Sequence, residues 1–318
     1  MSEAQLVAAD VGETVTRITG DLDRIMPALK QLGKVMALTR NESCVIEKVG
    51  VYDNFTPGQH AGLIVNGEID LRMFPGQWVH GFAIEQETER GMRRTIQVFD
   101  AAGDAVHKVF LRERSNADAW PGVVAELKIE DQSNTLEVTP RKPVEAAKAD
   151  ADKADKLRSE WDKLTDTHQF LMLVRRLKMN RLGAYRIAGE PYARRLETDV
   201  IQKLLYKAAE SETAIMVFVG NAGCIEIHTG PIKKVVEMGP WINVLDPGFD
   251  MHLRMDHVAE VYAVTKATRR GDAISIEAFD ADGGLIAQFF GVLAEPEQAQ
   301  KWNEMIAGFD TMVEAATV

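Results

Sequence analysis

The sequence predicts an α+β fold built as a tandem structural repeat: two antiparallel β-sheets, each flanked by helices. Three observations carry this. The chain matches itself at an offset of 180 residues, each copy holds short apolar runs broken by Asn, Asp and Gly, and helical periodicity brackets each set of runs.

Without a gap, Met36 to Phe110 aligns with Met216 to Phe290, and 15 of the 75 positions are identical. Chance would give about 4. The pairs include Met36/Met216, Asn41/Asn221, Cys44/Cys224, Gly50/Gly230, Asp70/Asp250 and Arg90/Arg270. The densest stretch sets Ile96, Phe99, Asp100, Ala101 and Gly103 against Ile276, Phe279, Asp280, Ala281 and Gly283. Because the two cysteines are repeat-equivalent, each reads as a small buried hydrophobe in a strand rather than half of a redox pair.

In chain order, Leu22 to Leu32 has helical periodicity. Val35 to Leu38 is a short strand ended by turn residues. Thr95 to Phe99, Asp100 to Gly103 and Ala105 to Phe110 read as strand, turn, strand, so the neighbours are antiparallel. A helix is expected near Trp120. The second copy repeats the order, with a helix over Thr198 to Ala209 and strands at Ile215 to Phe218, Ile274 to Phe279 and Leu285 to Phe290. A closing helix spans Glu295 to Phe309. Between the copies, two prolines and a run of alternating charge mark a solvated helix or tether. The expected division is an N-terminal repeat at 1–128, a charged linker at 129–156 and a C-terminal repeat at 157–318.

A net charge of −11 argues against nucleic-acid wrapping and against binding to anionic membranes. Two cysteines without a CxxC pair suit a reducing compartment. Residues 1–13 are polar and acidic, unlike a signal peptide, and no apolar run reaches membrane-spanning length, so the cytoplasm is expected. Dinucleotide, GxSxG, HExxH and Walker fingerprints are missing, and the other histidines show no zinc-like spacing.

One segment, Leu157 to about Pro191, has no match in the first copy. Asp166 is placed to cap a helix, with Gln169 at capping-box spacing. Phe170, Leu173, Val174 and Leu177 form its core stripe, and His168 falls on the opposite face beside Met172, Arg175 and Met179. In a first turn the helix dipole disfavours imidazolium, which keeps a histidine there mostly neutral. Methionines, a histidine and an arginine on one face suit a wall for a large apolar anion, although a lone histidine at a helix start is more often plain surface.

At these residues the sequence resembles the HemS/ChuS family of haemin-degrading and haem-trafficking proteins, over nearly the whole chain. The resemblance rests on ordered blocks. The first copy has Met36-Ala-Leu-Thr-Arg-Asn-Glu-Ser-Cys44, His60-Ala-Gly-Leu-Ile-Val65, Ile69-Asp-Leu-Arg-Met-Phe74 and Gln77-Trp78. The second has Asp166-Thr-His-Gln-Phe170, His228-Thr-Gly230, Trp241-Ile-Asn-Val-Leu245, His252-Leu-Arg254 and Phe279-Asp-Ala-Asp-Gly283. It implies haem as ligand, in a cleft between a distal N-terminal and a proximal C-terminal half. It implies His168 as the iron ligand, Arg72 as the distal and catalytic residue, Arg181 and Lys266 as propionate partners, and Gln288 near the haem. Phe290, Leu293 and Thr265 depart from the family's usual Tyr, Arg and Arg, with Arg269 and Arg270 close enough in sequence to compensate. The family's usual first helices precede the pattern with which this chain opens.

Two classes of function follow: an enzyme that opens the porphyrin ring with external oxygen and an electron-donor partner, and a carrier that passes haem to a delivery partner. A structural sheet protein without a ligand is the third reading.

Overall fold

The computed structural model describes residues 1–89, 91–269 and 271–310; the repeat pair Arg90 and Arg270 lies outside the described residues. The elements in order are α1 (Glu3–Ala8), β1 (Val15–Ile18), α2 (Leu22–Gln31), β2 (Gly33–Arg40), β3 (Cys44–Gly50), β4 (Gly62–Val65), β5 (Asp70–Met73), β6 (His80–Thr88), β7 (Gly91–Phe99), β8 (Ala105–Ser115) and α3 (Trp120–Leu127). Then follow α4 (Ala154–Trp161), α5 (Gln169–Arg176), α6 (Arg181–Ala188), β9 (Ala193–Leu196), α7 (Val200–Glu210), β10 (Ile215–Gly220), β11 (Cys224–Gly230), β12 (Val235–Met238), β13 (Trp241–Asp246), β14 (Phe249–Arg254), β15 (Glu260–Thr268), β16 (Gly271–Phe279), β17 (Leu285–Gly291) and α8 (Pro296–Ala307). No helix among the described residues is long and apolar enough to cross a membrane.

The chain forms two compact units. Unit 1 comprises residues 1–142, 219–228 and 247–251, and unit 2 comprises 143–218, 229–246 and 252 onward. In unit 1 the strands run β1-β6-β7-β8-β2-β3, all antiparallel. A further ribbon in unit 1 pairs β4, β5 and the first part of β11, with Ile225 opposite Arg72. One face of the main sheet packs Val35, Ala37, Ile96 and Val98 against α2 and α3 through Ile25, Met26, Leu29, Trp120 and Val123. Ala4 and Ala8 of α1 cover Phe82, Ile84 and Phe99 on the other face. Strand alternation produces this two-sided burial.

Unit 2 orders its main sheet β10-β17-β16-β15-β9. Helices α4, α5 and α6 lay Trp161, Phe170, Leu173 and Tyr185 over Tyr262, Val264 and Phe279. The indole N–H of Trp302 in α8 donates to the Ile274 carbonyl.

The duplication reaches further back than identity reveals. At an offset of 178 residues α6, β9 and the start of α7 reproduce α1, β1 and α2, and from β2 onward the offset is 180. Ser2 and Asn180 cap α1 and α6 with side-chain oxygens, and Asp21 and Asp199 stand at the N-cap positions of α2 and α7. The unmatched segment is therefore shorter than the sequence comparison indicates: α4 and α5 are additions, whereas α6 and β9 have counterparts. Two extra residues near the end of α7 break the register, which hides the match from an ungapped alignment.

The segment after α3 is anchored. Gln132 exchanges hydrogen bonds with the backbone of Arg17, and Leu136 is buried against the α1 side of unit 1. Further on, Asn180 accepts from the Lys148 N–H (2.9 Å) and donates to the Ala146 carbonyl (2.7 Å). These bonds hold the polar stretch along each unit as ordered, irregular chain instead of a free tether.

Candidate functional site

Helix α5 buries Phe170, Leu173, Val174 and Leu177, the stripe its spacing predicts, and leaves Met172 65% exposed. It ends where Lys178 takes a left-handed conformation (φ +61°), and that turn folds Met179 into the core. Met179 therefore does not share the His168 face. The cap also differs from expectation. His168 itself occupies the N-cap position without a side-chain capping bond, and Gln169 instead reaches back to accept from the Thr165 N–H (2.9 Å).

Asp166 Oδ1 accepts from the His168 backbone N–H (2.8 Å) and lies 2.6 Å from Nδ1 of the same residue. Those two hydrogen bonds hold the Asp166 carboxyl below its usual range. With Nδ1–H donating to the carboxylate, the lone pair of the imidazole stands on Nε2. The His168 side chain is 94% exposed. An oriented, accessible imidazole with a carboxylate behind it is the arrangement that metal-binding histidines use.

Below Phe170, the same sheet face carries a charge cluster. Arg181 Nη1 donates to Glu277 Oε2 (2.7 Å) and Lys266 Nζ to Glu277 Oε1 (2.9 Å). The Tyr185 hydroxyl donates to Glu277 (3.0 Å) and accepts from Lys266 (3.0 Å), while Ser275 donates to Oε1 (2.8 Å). The Lys266 ammonium lies 5.0 Å from the Phe170 ring centre. Burial alone would raise the Glu277 carboxyl, yet Lys266 and Arg181 together hold it well below the carboxylate range. Gln288 stands beside Glu277 in register and opposite Phe218 on its other side. Phe218 and Phe290, both partly exposed, meet edge to face at 5.1 Å.

The structure thus brings Arg181 and Lys266 together on Glu277, with Gln288 beside Glu277 in register and Lys266 under Phe170 of α5. The expected propionate partners already share a carboxylate, the chain's own Glu277. Sequence reasoning passed over Glu277 and Tyr185. The available signal is an acid inside the otherwise apolar run Ile276 to Phe279, where strand alternation points it to the helix-covered face. At the departures, Thr265 uses its backbone carbonyl to accept from the Trp161 indole (2.9 Å). Arg269 acts on Asp166, contributing to its lowered carboxyl.

Arg72 lies in unit 1 on β5. It pairs with Asp70, two residues before it on the same face, and its side chain is partly exposed. On the opposite face of the ribbon, Glu226 is fully buried, and burial pushes its carboxyl up to about 8, with Lys48 acting against that rise. Lys48 Nζ lies 3.3 Å from His228 Nδ1, and the His228 ring stacks on Phe249. His107 is neutral: burial takes it down to about 3, and it contacts Thr39 (2.9 Å) and Tyr52 (2.5 Å).

The family described as the haemin-degrading HemS.ChuX domain matches the chain twice, over residues 1–127 and 178–309. The hemin transport protein HmuS of Yersinia pestis is 40% identical over 310 residues, covering 96% of this chain and 89% of that protein. Among solved structures, holo-PhuS, a heme-binding protein from Pseudomonas aeruginosa, is similar at a TM-score of 0.93 and 44% identity, covering 98% of this chain and 91% of that one. ChuS, described as an E. coli heme oxygenase, is similar at a TM-score of 0.88 and 35% identity, covering 97% and 93%.

Proposed function

Because the chain belongs to the haemin-degrading HemS/ChuX family, we propose that it is a cytoplasmic haem-binding protein of haem utilisation, with haem as its substrate or cargo. The observation that carries this reading is the Asp166–His168 pair, an accessible Nε2 oriented by a carboxylate at the start of α5. Nε2 would supply the nitrogen that haem iron accepts, and the carboxylate on Nδ1 fixes the orientation of the ring. Phe218 and Phe290 supply apolar surface for the macrocycle, Gln288 a polar edge, and Arg181 a cation for a propionate. Two buried free cysteines fit a reducing compartment.

The activity proposed is ring opening that releases iron. The family description and the similarity to a protein described as a heme oxygenase support it. Electrons come from an external donor, because the chain has no dinucleotide fingerprint. Arg72, paired with Asp70, would supply the guanidinium that this chemistry needs to stabilise negative charge on oxygen. The second reading, a carrier that delivers haem to another enzyme, is favoured by the higher identity to proteins described as heme-binding and hemin transport proteins.

One experiment tests both readings. Ferric haem is titrated into the protein, then reductant and oxygen are added with catalase present to remove free peroxide. His168→Ala is expected to shift the Soret band and weaken binding, and Asp166→Asn to weaken it roughly 10- to 100-fold. Unchanged ferric and ferrous spectra in His168→Ala refute the ligand. A defined ring-opened product that Arg72→Ala suppresses at saturating haem supports the enzyme. If the wild-type protein yields no such product, the carrier stands.

A further inference from the structure

Strands β1 and β9 stand at the edges of their sheets, one in each unit. Arg17 and Arg195 hold the same place on them at the 178-residue offset, opposite Phe82 and Tyr262. The Glu85 N–H donates to the Thr14 carbonyl and the Thr265 N–H to the Tyr192 carbonyl, which sets the same alternation in both strand pairs. The backbone N–H and C=O of each arginine therefore point away from the sheet.

In unit 1 that edge is occupied. The chain after α3 runs along β1, where Gln132 accepts from the Arg17 N–H (3.1 Å) and donates to the Arg17 carbonyl (2.9 Å). The Arg17 guanidinium donates to Asp131 (2.6 Å) and to Ser133 (2.7 Å), and its side chain is left 11% exposed. In unit 2 the nearby acid is already engaged. Glu260 accepts from Arg186 through Nε (3.2 Å) and Nη2 and from the Tyr262 hydroxyl (2.8 Å), while Arg195 stands 4.0 Å from it. Arg195 Nε is buried with no hydrogen-bond partner among the described residues, and the side chain is 36% exposed. Two guanidiniums thus share one carboxylate, and a buried donor is left over, which is costly. The sequence after α8 does not repeat the solution of unit 1. Matching α3 and α8 at their last residues, Leu127 and Ala307, puts Thr311 in the place of Asp131, and matching them at Trp120 and Trp302 puts Val313 there. Neither residue carries a charge.

We propose that the β9 edge of unit 2 docks an extended acidic segment of a partner protein, which lies along β9 as residues 129–133 lie along β1 and sets a carboxylate on Arg195. The outward backbone groups of Arg195 select an extended peptide over a free anion, and the guanidinium selects an acid. The site goes beyond haem binding and uses none of the residues assigned to haem.

The probe is a fluorescein-labelled peptide with blocked ends and the sequence of residues 128–135, titrated into the full-length protein and followed by anisotropy. It is expected to bind with a dissociation constant of about 1 mM or below. Asparagine in place of its aspartate should weaken binding about tenfold, the worth of a charge-assisted hydrogen bond. Arg195→Gln should weaken the parent peptide by the same factor and bring the two peptides to parity. Near-UV circular dichroism checks folding, and Arg195→Lys replaces Arg195→Gln if the glutamine variant does not fold. Four results would each overturn the proposal. The parent peptide fails to bind, or it binds Arg195→Gln as tightly as the wild type. Inorganic phosphate or succinate displaces it at equal concentration, which makes the site one for small anions. A variant ending at Asp310 binds it about tenfold tighter than the full chain, which makes the chain's own last residues the occupant.

Discussion

At position 46 the chain buries an isoleucine in β3; its repeat equivalent in β11 is Glu226, also fully buried. The same backbone slot thus holds a group that water solvates poorly and one that water solvates well. Burial lifts the Glu226 carboxyl from the ordinary 4.5 to about 8. Between those values the native state keeps a proton that the unfolded chain has released. Stability therefore falls as pH rises through this window and levels off above about 8, at about 1.4 kcal/mol per unit of pH. Glu226→Gln should remove the slope. Unfolding midpoints measured from pH 5 to 9 should show the variant gaining on the wild type as pH rises. Parallel curves would assign the alkaline loss to another group. The buried cysteines need no such account, since desolvation pushes both thiols up and leaves them inert packing residues.

Elements explain why the two copies kept the residues they share. Asn41 and Asn221 each accept two backbone N–H groups of the following turn and donate across to the Gly220 and Arg40 carbonyls respectively. Asp100 and Asp280 each accept two backbone N–H groups in the β7–β8 and β16–β17 turns, where Gly103 and Gly283 take positive φ. Turn chemistry, more than core packing, carries the readable identity. Helix α6 offers a test of the anchored stretch before α4. A Cβ on Gly183 would fall 2.0 Å from the Lys148 carbonyl oxygen, which is backbone and has little room to yield. In a free helix, glycine to alanine stabilises by about 1 kcal/mol. Here Gly183→Ala should instead destabilise by about 1–3 kcal/mol and speed proteolysis around residues 143–150. A rise in the thermal midpoint would mean that this stretch is not held against α6.

For the molecule as a whole, compactness does not follow chain order. Unit 1 is completed by Val219–His228 and Pro247–Met251, which come late in the sequence. Cys224 lies in its core, and the Gly223 carbonyl accepts from the Trp78 indole (2.9 Å). A fragment ending at residue 142 lacks these groups, leaving the β5 edge and the Trp78 N–H without partners. Expressed alone, it should show no cooperative thermal transition by circular dichroism, and a sharp transition would contradict the division. In the intact chain, a ligand at about 1,000 times its dissociation constant adds about 4 kcal/mol to the native state. Haem should accordingly raise the unfolding midpoint of the wild type more than that of His168→Ala.

The sequence by itself determined the fold class, the helices α2, α3, α7 and α8, the strands β2, β7, β8, β10, β16 and β17, and the core stripe of α5. Periodicity, turn residues and a 180-residue repeat are local signals, written in the spacing of side chains along the chain. Only the tertiary structure decided what those side chains meet. It set Arg181 and Lys266 on a shared Glu277, turned Met179 inward, put His168 at its own helix cap and gave late segments to the first unit. The Arg181–Glu277 pair and the late segments of unit 1 join residues 96 and 145 positions apart, whereas the cap and the inward turn arise from local backbone geometry that residue spacing does not specify. A buried charge takes its state from the groups packed around it, and sequence spacing holds no record of that packing.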